Sequence, residues 1–445
     1  MQPIDTLICA RWIVPVEPRG AVFEHHALAV ADGRIAALLP RAEAEARFDP
    51  HARVDLGDHA LLPGLVNAHT HAAMTLLRGL ADDLPLMTWL EEHIWPAEGR
   101  WVSEEFVRDG TRLAVAEMLR SGTTCFNDMY FFPDVTARVA SAAGLRCVTG
   151  LIAIDFPTVW ARDADEYLDK GLAVHDEFRH DALVRTAFAP HAPYTVSDAP
   201  LERIRVLADE LDIPVHMHVH ETAHEVETAV AERGERPLAR LDRLGLLSPS
   251  LLAVHMTQLG EDEIARVAEA GVRVAHCPES NLKLASGYCP VARLQAAGVT
   301  VALGSDGAAS NNDLDLFGEM RLAALLAKAV SGDASALPAA RALEMATLDG
   351  ARALGWDDEI GSLLPGKAAD LVAVRLAGIE TEPLYHPLSQ IVYALDRGRV
   401  SDVWVAGQHL LRERRLTTLD EAEILDSARA WGGRIGAADA APRPA

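Results

Sequence analysis

Positive charge is scarce in this 445-residue chain: 41 lysines and arginines stand against 65 aspartates and glutamates, a formal net charge of -24. Such a surface repels phosphate backbones and anionic membranes, which argues against nucleic acid or a membrane as partner. Cysteine is also sparse. Cys9, Cys125, Cys147, Cys277 and Cys289 are scattered, odd in number and free of any C-x-x-C pair. Neither a disulfide framework nor a structural zinc ribbon is supported. No apolar run reaches the roughly 20 residues of a membrane span. The opening "MQPIDTLICARWIVPV" has an early Asp5 and no basic stretch ahead of its short apolar run. It reads as a strand and not as a signal peptide. The expectation is a soluble, cytoplasmic protein, with a homo-oligomer left open.

What the chain does have is a large apolar fraction, 49%, and a regular alternation of short β-type runs with helical patterns. The runs are LLPGLV from Leu61, GTTCF from Gly122, RCVTGLIAI from Arg146, VRTAFAP from Val184, IPVHMHVH from Ile213, LLAVHM from Leu251, VRVAHCP from Val272 and VTVALGSD from Val299. Between them lie segments such as "EEFVRDGTRLAVAEMLRSG" and "DEIARVAEAG", the latter stopped by Gly271. Eight such repeats predict an α/β fold, a (β/α)8 TIM-type barrel over residues 61–360. The flanks, 1–60 and 361–445, carry short strands and turns. Each is too small to stand alone, so together they are expected to form a small β-sandwich domain. The tail "GAADAAPRPA" is expected to be disordered.

In a barrel of this kind the chemistry collects at the carboxyl ends of the strands. Those ends carry His69 and His71, then His191, then His216, His218 and His220, then His255, His276 and finally Asp306. Any one histidine is more often a surface or satisfied core residue, but their concentration at one end of the barrel predicts a shared polar site. In the H-x-H of His69 and His71, alternation sends both imidazoles to one face, where they can share a cation. A zinc ion needs three or four N, O or S ligands and an open position. His69, His71, one histidine of the fifth strand and Asp306 would supply them. Period two alone leaves His216, His218 and His220 equivalent.

The stretches "PGLVNAHTH", "HVHET", "AVHMTQL", "HCPESNLKLASG", "GSDGAASNN" and "IGSLLPGKAADLVAV" resemble the amidohydrolase superfamily, over nearly the whole chain. Within it, "THAAMTLLRGLADDLPLMTWLEEHIWPAE" and "NLKLASG" look most like the 5'-methylthioadenosine/S-adenosylhomocysteine deaminase branch. Chlorohydrolases and guanine or cytosine deaminases are its kin. The resemblance implies metal ligands at His69, His71, His218 and Asp306. It implies catalytic roles for Glu221, His255 and Asp306, and substrate contacts from Glu98, His191, Glu221 and Asp306. Binuclear members bridge two ions with a lysine at the end of the fourth strand. Here the lysines are Lys170, Lys283, Lys328 and Lys367, none at that place, so one divalent ion per subunit is implied. Zinc is the default, with Fe2+ or Mn2+ as alternatives.

The implied activity is release of ammonia from an adenosine-type nucleoside by metal-activated water. The substrate would be 5'-methylthioadenosine or S-adenosylhomocysteine; guanine, cytosine and triazines are the alternatives. The arginine that binds the homocysteine carboxylate in some relatives has no clear match, since "VWARDADEY" around Arg162 reproduces no motif. His276, Ser280 and Asn281 are expected to line the seventh-strand loop, and Trp89 to lie near the pocket or in the core. His25, His26, His51, His59 and His93 have no supporting constellation. Two other classes remain in view. "HETAH", His220 to His224, spells the metalloprotease motif H-E-x-x-H, which requires a helix; the period-two pattern before it predicts a strand instead. A non-catalytic barrel is the other, but such chains lose ligands, and this one keeps them all.

Overall fold

The computed structural model describes residues 1–439. Eight parallel strands form one sheet: Leu65–Thr70, Thr123–Asp128, Arg146–Ala153, Val184–Pro190, Val215–Val219, Leu251–His255, Arg273–His276 and Val301–Leu303. A bridge between Thr70 and Asp306 joins the eighth strand back to the first. The helices between strands follow the sequence pattern. Glu104–Arg120 starts where Ser103 accepts the Phe106 N–H, and Glu261–Ala270 stops at Gly271, which adopts φ +70°. That left-handed conformation costs glycine least.

The run LLPGLV is not one strand. Leu61, Leu62 and Pro63 lie in His59–Pro63, which pairs with Leu371–Arg375 in the sheet of the chain ends, and the barrel starts at Leu65. Gly64 is the joint: a Cβ there would fall 2.0 Å from the Thr124 hydroxyl. Only a residue without a side chain lets the chain cross from one sheet to the other so close to the second barrel strand.

The chain ends build one nine-stranded hydrogen-bonded sheet. Ile8, Leu28 and Ile35 from the first flank share a core with Leu371, Ala373 and Trp404 from the second. Neither flank could bury these faces alone. Arg146, at the start of the third barrel strand, makes a buried two-bond ion pair with Asp370 (2.7 and 3.2 Å) where the second flank begins. The helix Glu421–Asp439 continues into the tail expected to be disordered, through Gly436–Asp439, because Trp431 and Ile435 anchor it on the barrel; the rest of that tail lies outside the described residues. Among the described residues no helix is long and apolar enough to cross a membrane.

Register fixes the inside of the barrel. Leu252 and Val254 pair beside His216 and His218. With Val66, Ala68, Ala187, Ala275 and Ala302 they form a core of mostly small residues. Trp356 closes this core, with the guanidinium groups of Arg146 and Arg185 stacked on its ring.

Candidate metal centre and active site

Above that core the ligand atoms of His69, His71, His218 and Asp306 all lie within 4.8 Å of one another. The Nε2 atoms of His69 and His71 are each 3.2 Å from Asp306 Oδ1, and the Nε2 atoms of His69 and His218 are 3.2 Å apart. Tetrahedral ligands at zinc distances of about 2.0–2.1 Å are separated by roughly 3.4 Å, so the spacing suits one ion. Proton placement agrees. His71 Nδ1–H donates to the Met129 carbonyl (2.6 Å) and His218 Nδ1–H to the His191 carbonyl (2.8 Å). Their Nε2 lone pairs therefore face the centre, the arrangement usual for metal-binding histidines. His69 Nδ1 shares a hydrogen bond with His216 Nε2 at 2.8 Å. The residues fit a divalent cation.

Burial and mutual contact shift these groups in different directions. Burial pushes His69 down to about 4 against the pull of Asp306. His71 is also buried, but Asp306 and the Met129 carbonyl outweigh this and raise it to about 9. Asp306 stays well below the ordinary carboxylate range despite its burial, because both imidazoles bond to it.

The three histidines of the fifth strand separate. His216 lies one layer below the cluster as the partner of His69. His218 joins the cluster. His220, expected on the same face, turns away: its backbone adopts φ +53°, and its ring bonds to the Gln258 carbonyl and the Leu238 N–H. The reverse happens at His255. Register sets it opposite Val219, which alternates with the inward His218, yet φ +73° brings its Nε2 to 3.8 Å from Glu221 Oε2. Asp306 also has φ of +60°. Left-handed non-glycine residues at three strand ends are the strain expected where side chains are re-aimed for a site.

Other residues hold these groups in place. Asn281 Oδ1 accepts the His255 Nδ1–H at 2.8 Å. Ser280 and Ser310 donate hydroxyl bonds to Asp306 Oδ2 at 2.6 and 2.9 Å. Asp128, at the end of the second strand, accepts the Ala72 N–H and the Thr70 hydroxyl and so fixes the turn after H-x-H. Glu225 accepts the backbone N–H groups of His220 (3.0 Å) and Glu221 (2.7 Å). Sequence reasoning assigned nothing to Asp128, Glu225 or Ser310. A partial signal exists for Glu225: "TAHE" matches the capping-box sequence pattern, and Thr222 caps the helix Ala223–Arg233 by accepting the Glu225 N–H. His276 faces a separate small cavity beside Tyr288.

A cavity of about 260 Å³ opens onto His71, His191, His218, Glu221, His255 and Asp306. Its cover is the segment Leu86–Trp101, two short helices joined by a π-helical stretch, Trp89–Ile94. Trp89 lines the cavity and is also a structural residue, donating its indole N–H to the Ala81 carbonyl. Glu98 reaches the cavity from this cover and accepts the Tyr130 hydroxyl at 2.8 Å; burial pushes its carboxyl up to about 7, with Tyr130 opposing. Burial likewise raises Glu221. It lowers His191 to about 3, so that ring is neutral.

H-E-x-x-H does not form a metal site. His220 and Glu221 precede the helix that begins at Ala223, and His224 is exposed on it. The two histidines never share a helical face, which that motif requires.

Residues 60–410 match the amidohydrolase family, and the chain belongs to it. It is 51% identical over 434 residues to a 5-methylthioadenosine/S-adenosylhomocysteine deaminase of Teredinibacter turnerae, covering 98% of each chain. A zinc-bound adenosine deaminase from Xanthomonas campestris is 59% identical, with a TM-score of 0.97 over 98% of this chain and 99% of that one. The zinc complex of atrazine chlorohydrolase from Arthrobacter aurescens shares the fold, at 24% identity and a TM-score of 0.89 over 96% and 99% of the two chains.

Proposed function

We propose that this protein is a metal-dependent hydrolase that deaminates the adenine ring of an adenosine-type nucleoside, 5'-methylthioadenosine or S-adenosylhomocysteine. The observation that carries this is the convergence of His69, His71, His218 and Asp306 at the floor of a cavity whose wall holds Glu221 and His255. Whole-length identity to a deaminase of that name supports the substrate class. The four residues would hold one divalent ion per subunit, zinc, which would acidify water so that attack becomes feasible near neutral pH.

The chain's own groups do the rest. Asp306 takes the proton of the attacking water. His255, held by Asn281, orients that water by hydrogen bond. Glu221, kept protonated more readily by burial, gives a proton to the ring nitrogen as oxygen adds at C6. Left as a carboxylate, it takes the proton of the C6 hydroxyl and passes it to the departing amine, and the proton held by Asp306 then restores it. The C6–N bond breaks, a C–O bond has formed, and ammonia and the hypoxanthine nucleoside leave. Glu98 accepts from the ribose hydroxyls, and His191 contacts the nucleoside as a neutral ring.

The five described cysteines are all buried and unpaired, which supports a cytoplasmic placement. We take the barrel and the sheet of the chain ends as the two structural units, meeting at Gly64 and Asp370. An ammonia-release screen with 5'-methylthioadenosine, S-adenosylhomocysteine, adenosine, guanine and cytosine tests the assignment. Turnover is expected on the adenosine derivatives. Activity confined to guanine or cytosine would replace the substrate class.

A further inference from the structure

We propose that the part of the cavity away from the metal centre is a subsite for a neutral, apolar 5' substituent. It selects a methylthio nucleoside against one bearing an amino-acid tail. This rests on the deaminase reading of the same site, and it narrows the two substrates named there to one.

The walls carry the argument. Leu90 and Ile94 of the cover, and Val102 just after it, line the cavity together with Ile154, Phe156 and Val159 of the loop after the third barrel strand. Apolar surface from two sides suits a thioether methyl group, which gains by leaving water. The acidic groups lining the cavity are Glu98, Glu221 and Asp306, and among the described residues that line it there is no arginine or lysine. The two cations that follow the loop wall in sequence are engaged elsewhere. Arg162 pairs with Asp163 and Glu166, at 3.6 and 3.2 Å. Lys170 pairs with Glu166 at 3.0 Å and stacks on Trp160.

An S-adenosylhomocysteine tail would bring an ammonium and a carboxylate into this space. The carboxylate would shed water without gaining a cation, in a cavity whose other charges repel it. Its ammonium would compete with the ribose for Glu98.

The test uses the full-length, zinc-loaded protein and compares kcat/KM for 5'-methylthioadenosine and S-adenosylhomocysteine. The expected preference for the methylthio nucleoside is at least about 100-fold, the order by which an unpaired polar group is rejected. The variant Val159→Arg supplies a cation at the exposed rim, where the side chain is not needed for folding. It is expected to narrow the ratio at least about tenfold. Turnover of both substrates within about tenfold of each other by the unaltered protein overturns the subsite while leaving the deaminase reading intact. A strong preference that Val159→Arg does not move overturns the assignment to this wall. Failure to turn over either nucleoside overturns the underlying reading instead.

Discussion

His216, His218 and His220 lie on one strand and have three different jobs. His216 supports His69 from below, His218 offers a free lone pair to the cluster, and His220 bonds to backbone outside it. His218→Ala is therefore expected to reduce bound metal from one equivalent towards zero, while exposed His224→Ala retains it; elemental analysis of the purified variants distinguishes them. Glu221→Gln keeps the shape but removes the transferable proton, so kcat should fall by roughly 100- to 10,000-fold. Glu98 yields a pH signature. Its carboxyl is pushed up to about 7 by burial against the opposing Tyr130 bond. As pH falls through that value Glu98 gains a proton and loses charge as an acceptor. KM should rise on the acid side and fall as pH increases, and Glu98→Gln should abolish that limb. A KM profile unchanged by the substitution would remove Glu98 from substrate binding. The residue pattern also limits what sequence can reveal. Alternation identified the two faces of the fifth strand, but a left-handed residue at its end sends His220 out, and another brings His255 in. Backbone reversals of this kind leave no mark in side-chain periodicity. The family pattern supplied what periodicity could not.

At the level of elements, the eight barrel strands were legible because each is a short apolar run between helical patterns. The boundary was less so. The run LLPGLV is apolar on both sides of Gly64, and the close approach of Gly64 to Thr124 marks the joint. Gly64→Ala should cost about 1–3 kcal/mol, the usual penalty of overpacking, seen as a lower denaturation midpoint. An unchanged midpoint would mean that this junction tolerates a side chain. The turn between the fifth strand and its helix depends on Glu225. "TAHE" signals a helix start, yet the glutamate reaches past the cap to the N–H groups of His220 and Glu221. Ser280 and Asn281 are expected from the sequence to line a loop, with Asn281 equally able to fix its backbone. They instead orient His255 and Asp306, a relation between the seventh strand and its neighbours that appears only once the barrel is closed.

At the scale of the whole molecule, the first and last segments of the chain meet in one sheet, which brackets the barrel between them. Arg146 and Asp370 tie the two together in a site where both side chains are buried. Asp370→Ala would leave the guanidinium buried without its partner, and a loss of about 3–5 kcal/mol is expected in chemical denaturation. A loss below 1 kcal/mol would show that the joint is solvated. The catalytic proposal requires this assembled barrel, since the metal donors come from its first, fifth and eighth strands and their following turns. The most direct measurement is ammonia release from 5'-methylthioadenosine by protein with one zinc per chain, alongside His218→Ala. One ammonia per nucleoside and a hypoxanthine product are predicted, with both metal and activity lost in the variant. Zinc-replete protein that leaves 5'-methylthioadenosine, S-adenosylhomocysteine and adenosine intact would contradict the assignment.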